Sequence, residues 1–480
     1  MFKIISIFTL FAISSIGFSQ KTISSFALRI HSKDFVFEEK NDSTQTTTLF
    51  NAEKNRILSI RLDANKQIID SLTTENFTEK YSILGSNYNK NLNILYCKDE
   101  KSGDLFAVLF DFLDKKTKRI NTTLNLQKDN NIYNFSQNDK FYMVYTVKGT
   151  DNLKVNIINF KGESTTRTID ISNFKLLNYY NKPTSLYKSI GSFYGSFAVK
   201  NFSVIDPKSN LSLIEASSKT KLYVKENQLI LTFDISRSVT QILNVNLKDF
   251  TANLIHIETP LVGETPDSNM AMESNSFLID DKLLQFKLTS ELEIITIKNL
   301  DGKLINTYML RSEKKNNKNS NSYYIMSPTE MEVEDLKNSK DFLERSIKIG
   351  YGSGIYCTKT NDKYQITFGA VSDIQKSSAI AFLPAFGISG ALTMFIIEQA
   401  SSKNVSVYKN RFAVFTSLTI DNQLQNFVNQ KSDFTISEIE EYIGKTKKIS
   451  NFTISKSGEK QILGFYDENT KMYNFKAFEN

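Results

Sequence analysis

Two histidines, His31 and His256, are the whole imidazole inventory of this 480-residue chain, so any His-dependent mechanism must pass through one of them. In NLIHIET, His256 shares a strand face with Leu254 and Glu258 and reads as a half-exposed strand residue. His31 follows FALRI, where Phe26, Leu28 and Ile30 form the inward face, and it falls on the outward side with Arg29. A Ser-His-Asp triad or a His-rich zinc site cannot be assembled from these two. The run GYGSG (Gly350 to Gly354) invites a phosphate-loop or nucleophile-elbow reading, because glycines allow close backbone approach. Ser353 stands fourth rather than third in it, and no Lys-Ser/Thr pair closes a Walker loop, so the expectation is a bulge or bend leading into the strand IYC. Adjacent acids such as Asp280-Asp281 and Glu440-Glu441 suit glycoside hydrolysis in principle, but a chain with 52 acidic residues contains such pairs by chance. No calcium-loop pattern is present. No catalytic residue, cofactor or metal ligand is assigned.

The residues that stand out are apolar. From Ala379 to Ile397 the chain reads AIAFLPAFGISGALTMFII, without a charge. As one helix this run reaches about 28 Å, close to the hydrocarbon thickness of a bilayer. Pro384, Gly387 and Gly390 interrupt it near the middle, which suits a turn between two short arms. The second arm is apolar nearly all round and must be covered by protein or lipid. Phe382, Leu383, Phe386, Leu392, Met394, Phe395, Ile396 and Ile397 are the candidate contact residues, for a lipid surface or a protein partner. The flanks constrain the choice. YQITFGAV (Tyr364 to Val371) and NRFAVFTSLTI (Asn410 to Ile420) look like neighbouring strands, so residues 372–409 form an insertion at a hairpin connection. A single membrane span there would carry the last strands away from the sheet they complete.

The elements around these residues are short strands. Runs of four to eight residues with alternating apolar positions recur between Asn, Asp, Lys, Gly and Ser clusters. Three-strand units start at Asn93, Phe141, Gln228 and Lys282, each with a short connection, a strand, a turn such as Lys161-Gly162 or Asp301-Gly302, and another strand. Units near 45 to 50 residues fit blades of a β-propeller, with the long step from Phe141 to Gln228 covering an insertion or a double step. The expected fold is therefore all-β, a β-propeller of six or seven blades over residues 20–480 with an apolar, helical insertion. Tandem β-sandwiches are the alternative. Capping boxes at Ser327-Glu330 and Ser437-Glu440 predict two short helices. Cys97 and Cys357 sit in strand-like runs; two buried thiols are expected, with a disulfide as the alternative.

Composition bounds the rest. Hydrophobic residues at 40% and charged residues at 23% describe a folded chain, and the net charge of +7 comes from interleaved rather than clustered lysines, which argues against a nucleic-acid partner. MFKIISIFTLFAISSIGFSQ has Lys3, an apolar core, and Gly17 and Ser19 at a cleavage-site spacing; residues 1–19 read as a secretory signal leaving Gln20 first. The GFSQ ending and the Asn-, Lys-, Ile- and Phe-rich, Trp-free composition resemble secreted propeller-like proteins of the Bacteroidota. That resemblance implies export to the periplasm, envelope or exterior and names no activity. The leading functional expectation is an exported, non-catalytic binding or scaffold protein using the insertion for membrane or partner contact. A glycan or peptide hydrolase or lyase with acids in a propeller mouth, and a membrane protein with one late span, are the alternatives.

Overall fold

Strands whose two faces are both covered lose strict alternation and become nearly continuous apolar runs, whereas strands with one wet face keep it. Both kinds occur here in a fixed order. The computed structural model describes residues 21–478 apart from 32–33, 42–43, 76–79, 127–129, 192–201, 206–211, 262–271, 314–321, 327–332, 349–350, 360–362, 373–411, 429–438, 440–441, 444–445 and 458–459.

Among the described residues seven sheets, antiparallel apart from one edge strand, follow one another along the chain. Strand β1 (Lys21–Ala27) is set aside for the last of them. Blade 1 is β2 (Phe35–Asn41), β3 (Thr46–Ala52), β4 (Ile57–Leu62) and β5 (Ile68–Thr73); blade 2 is β6 (Tyr81–Asn89), β7 (Leu92–Asp99), β8 (Asp104–Asp111) and β9 (Lys116–Asn125). Blade 3 is β10 (Asn130–Gln137), β11 (Lys140–Thr146), β12 (Asn152–Asn159) and β13 (Ser164–Asp170). A two-stranded ribbon, β14 (Leu176–Leu177) with β15 (Pro183–Thr184), and helix α1 (Leu186–Gly191) then precede blade 4.

Blade 4 has five strands, because β16 (Phe202–Ile205) adds in parallel beside β17 (Thr220–Lys225), which is followed by β18 (Gln228–Phe233), β19 (Val239–Asn246) and β20 (Ala252–Glu258). Helix α2 (Leu213–Ala216), closed by a Ser212/Glu215 capping box, lies between β16 and β17. Blade 5 is β21 (Glu273–Ile279), β22 (Lys282–Leu288), β23 (Leu292–Asn299) and β24 (Leu304–Arg311).

Blade 6 is irregular. Its outer strands, β25 (Tyr323–Met326) and β26 (Val333–Asp335), come before helix α3 (Ser339–Ser346) and before its inner strands β27 (Tyr351–Lys359), β28 (Lys363–Ser372) and β29 (Ala413–Asp421). The short β30 (Phe427–Val428) shares the outer edge of β29 with β25. Blade 7 is β31 (Ile449–Ser457), β32 (Lys460–Asp467) and β33 (Met472–Phe478), with β1 pairing against β33 as its fourth strand. The two ends of the described chain thus complete one sheet, which is how a propeller ring is tied shut. The fold is an all-β propeller with seven blades among the described residues, within the expected range.

Side-chain period explains the stacking. In β7, Leu95 and Cys97 face blade 1 and pack with Phe37, Phe50 and Phe106, while Ile94 and Tyr96 face blade 3 and pack with Phe141 and Met143. The Tyr96 and Phe141 rings lie parallel with centroids 4.0 Å apart. One residue of register would exchange the two faces. Comparable clusters join blade 7 to blade 1 through Val36, Leu49 and Phe475, blade 3 to blade 4 through Val155, Leu222 and Leu243, and blades 4, 5 and 6 through Tyr223, Phe286 and Phe368.

The sequence units map onto the second, third and fourth strands of blades 2, 3 and 5 and onto β18, β19 and β20 of blade 4; the first strands of these blades, and β17, were not among them. The long step between Phe141 and Gln228 is one blade step lengthened by the ribbon, α1, β16 and α2. Turns at Gly162 and Gly302 adopt φ of 81° and 86°, the left-handed conformation that glycine takes without penalty. The helix expected from Ser327 is corrected. Residues 327–332 lie outside the described part, Val333–Asp335 form a strand on β25, and the helix begins at Ser339 with Asn338 accepting a bond from the Asp341 amide. The apolar-polar alternation of Met331 to Asp335 suits an edge strand better than a first helical turn. Near the second capping box, Ile439, Tyr442 and Ile443 are helical.

Candidate functional site

The first strands of neighbouring blades lie side by side (β31 by β2, β2 by β6, β6 by β10, β21 by β27), so they form the inner wall of the ring. Their sequences mix buried apolar residues with Glu, Asn, Ser and Lys. These polar side chains bond across blade boundaries, where a buried polar group must find a partner or cost free energy.

Between blades 7 and 1, Thr453 Oγ1 donates to Glu38 Oε1, and Glu38 Oε2 accepts from Lys66 Nζ at 2.8 Å. Lys66, 4% exposed in its side chain, also donates to Thr47 Oγ1 at 3.1 Å and sits 5.1 Å from the centre of the Phe475 ring. Between blades 1 and 2, the Ser86 hydroxyl donates to Glu39 Oε2; burial raises the Glu39 carboxyl above its ordinary range, and the Ser86 bond pulls the other way. Between blades 2 and 3, Asn134 Nδ2 donates to the Leu84 carbonyl at 3.1 Å and Ser136 Oγ to the Ser86 carbonyl.

The belt is densest across blades 4, 5 and 6. Lys221 on β17 is fully buried. Its Nζ donates to the Ser218 carbonyl at 2.6 Å and to Asn275 Oδ1, and lies 3.5 Å from Asp234 Oδ2. Asp234 is held by the Ser276 amide at 2.9 Å, the Ser276 hydroxyl at 2.8 Å and the Thr240 hydroxyl at 2.9 Å. Asn275 Nδ2 donates to the Ser353 carbonyl at 2.7 Å and to the Ser217 carbonyl at 3.1 Å. With so little water to stabilise the ammonium, the Lys221 pKa falls to about 8, the nearby Asp234 carboxylate only partly offsetting burial. Lys219 joins the edge of this network through Glu273 Oε2 at 2.8 Å.

The residues singled out in the sequence fall elsewhere. Asp280 and Asp281 form the turn between β21 and β22, both with positive φ, the backbone of a tight two-residue hairpin. They do not act as a pair. Asp280 Oδ2 accepts from Lys359 Nζ and Tyr364 Oη, both at 2.6 Å, on blade 6, while Asp281 pairs with Lys225 at 2.8 Å on blade 4. Gly350 of GYGSG lies outside the described residues, and from Tyr351 onward the run is regular strand without a bulge, paired residue by residue with β28. Its glycine has a packing reason, since a Cβ on Gly354 would stand 2.8 Å from the Ser217 amide nitrogen and 3.0 Å from the Leu213 carbonyl. Helix α2 rests on the bare backbone there.

His256 is exposed, as expected. His31 is exposed too, with Nδ1 3.0 Å from Asp34 Oδ2 in a local turn. Cys97 and Cys357 are buried free thiols, and burial raises both. Glu440-Glu441 and the contact residues Phe382, Leu383, Phe386, Leu392, Met394, Phe395, Ile396 and Ile397 lie outside the described residues, as does the expected signal at 1–19. Among the described residues no cluster of His, Cys, Asp and Glu could hold a metal ion, and no helix is long and apolar enough to cross a membrane. The inner belt itself was missed from sequence. The available signal was charged and amide residues inside otherwise apolar strand runs, as in FVFEEKN and ESNSFLI.

No family model matches the chain, and no curated protein matches it. Among solved structures, the chain is similar to prolyl oligopeptidase B of Galerina marginata at 8% identity, covering 55% of this chain and 31% of the oligopeptidase, with a TM-score of 0.28. It is similar to the β-propeller domain of Nup133 from Vanderwaltozyma polyspora at 10% identity over 72% of this chain and 85% of the domain, with a TM-score of 0.28. An uncharacterized Listeria monocytogenes protein shows 11% identity over 72% of this chain and 94% of its own length, with a TM-score of 0.31. The blade assignment stands on the strand order and not on these superpositions.

Proposed function

We propose that this protein is an exported, non-catalytic binding or scaffold module of the cell envelope, and that the apolar stretch inserted in blade 6 is its contact element. The observation that carries the reading is the hairpin on which the insertion stands. Strands β28 and β29 pair in register as far as Val371 opposite Ala413. Beyond that pair, the Ser372 amide donates to the Phe412 carbonyl at 2.9 Å, and the Phe412 amide donates to Ser372 Oγ at 2.8 Å. Residues 373–411 therefore leave and rejoin the blade at adjacent points, and the sheet is complete without them. A bonded backbone ladder at its root and the uncharged run at 379–397 suit a finger that touches lipid or an apolar partner surface. The N-terminal signal pattern supports the address. The belt acids described above are held by donors across blade boundaries, which favours an internal role for them over action on an outside substrate.

Deletion of residues 378–401 tests the reading. The shortened protein is expected to keep its unfolding midpoint, because the hairpin root stays bonded, and to lose co-sedimentation with envelope membranes or with its partner. Undiminished association would sink the proposal.

A further inference from the structure

A buried amine, a carboxamide and a carboxylate converge at the seam between blades 4 and 5. Lys221 Nζ is within hydrogen-bond reach of Asn275 Oδ1, which sets it beside the amide carbon Cγ, one bond further on. Asp234 Oδ2 lies 3.5 Å from the same nitrogen. Lys221, Asn275 and Asp234 are all buried. We infer that Lys221 and Asn275 join in an intramolecular amide cross-link, formed once by the folded chain itself and tying β17 to β21.

The step balances without any outside reagent. Asp234 takes a proton from the Lys221 ammonium; the free amine attacks Cγ of Asn275; the Cγ–Nδ2 bond breaks; and the departing nitrogen takes up the proton from Asp234 together with the one shed by the attacking nitrogen. Lysine ammonium plus carboxamide thus becomes a secondary amide plus ammonium, and Asp234 ends as it began. Nothing is oxidised or reduced.

Each requirement of that chemistry has a residue. The nucleophile must be unprotonated, and burial brings the Lys221 pKa down to about 8, where a neutral fraction exists at physiological pH. Charge develops on Asn275 Oδ1, which already accepts the Ser276 amide at 2.7 Å, a fixed donor of the kind that stabilises an oxyanion. The proton carrier is kept in place by the Thr240 and Ser276 hydroxyls, and the Ser276 N–H is shared between it and Asn275 Oδ1. The leaving nitrogen faces the Ser353 and Ser217 carbonyls, acceptors for the ammonium that forms. Burial excludes the water that would compete for Cγ, and fixed neighbours convert a slow bimolecular aminolysis into an intramolecular one. The product removes a buried ammonium altogether.

Peptide mapping of the purified full-length protein tests this. After denaturation and trypsin digestion, the expected species is a branched peptide holding both Lys221 and Asn275, uncleaved after Lys221 and lighter by one ammonia, about 17 Da. The branched peptide, not the intact mass, is the readout, because cyclisation of an N-terminal glutamine loses the same mass. Its yield should grow faster on incubation at about pH 9 than at about pH 6, following the free amine. Linear peptides only, with Lys221 cleaved and Asn275 intact after both incubations, would overturn the cross-link. The wild-type chain alone decides that point, so no variant need fold. In variants that keep their native near-ultraviolet dichroism, Lys221→Arg should abolish the branched peptide and Asp234→Asn should slow its formation at least about tenfold; an unchanged rate in Asp234→Asn would remove Asp234 from the step.

Discussion

The seam between blades 7 and 1 and the arc of blades 4 to 6 each bury a lysine, yet they handle its charge differently. Lys66 meets a carboxylate directly, Glu38 at 2.8 Å, and completes its shell with Thr47 and the face of Phe475. Lys221 leans on a carbonyl and a carboxamide, with its acid 3.5 Å away and already satisfied by three other donors. Blade 5 goes further. Glu293, between Leu288 and Leu310 on the sheet, is 0% exposed with neither oxygen bonded, and burial holds its carboxyl well above the ordinary value. The seam between blades 7 and 1 therefore holds its buried charges as a close ion pair, while the arc keeps Lys221 and Glu293 without one, where burial favours their neutral forms. Dependence on a single partner is the measurable difference.

The largest effect is expected from breaking the close pair. Lys66→Met leaves the Glu38 carboxylate buried with only the Thr453 hydroxyl, and removal of one partner of such a pair costs about 3–5 kcal/mol. Urea unfolding at neutral pH should show that loss, and adding Glu38→Gln should return a good part of it. A cost under about 1 kcal/mol for Lys66→Met would mean that the pair is solvated in solution.

A smaller effect of opposite sign belongs to blade 5. Glu293 keeps its proton in the folded chain at pH values where the unfolded chain has lost it. The unfolded state then binds fewer protons, so stability falls as pH rises from the ordinary value of 4.5. Glu293→Gln removes this titration. Relative to wild type it should gain stability with rising pH, by at most about 1.4 kcal/mol per pH unit. Parallel stability curves between about pH 5 and pH 8 would show that Glu293 does not carry the slope.

The smallest effect is expected at the exposed clamp on the same arc. Lys225 and Asp281 bridge blades 4 and 5 with side chains 53% and 69% exposed. Asp281→Asn should cost about 0.2–1 kcal/mol and less in high salt. A larger, salt-insensitive loss would transfer the credit for joining these blades from the buried network to the surface.

Particular residues show why the strands were legible and the belt was not. LKVNIINF and KLLQFKL announce themselves because the second and third strands of a blade are packed by sheets on both sides, and the same pressure makes every copy apolar. The first strands, and β17 of blade 4, also pack, but they carry Glu39, Ser86, Lys221 and Asn275 into the belt, and those residues break the pattern by which a strand is recognised. Their partners are remote in the chain: Lys221 and Asn275 are separated by 54 positions and Asn275 and Ser353 by 78. No local spacing announces such a contact. The Asp280-Asp281 pair is the converse case, adjacent in sequence and turned toward different blades by two left-handed residues.

By itself the amino-acid sequence determined that this chain forms short strands in repeating sheets and that the apolar stretch interrupts one hairpin, because local alternation and turn chemistry act over a few residues. Ring closure by β1, the outer strands of blade 6 drawn from upstream, and the meeting of Lys221 with Asn275 were decided only by tertiary structure. Those depend on which sheet lies beside which, and buried polar groups obtain their partners from that adjacency and not from neighbours in the chain.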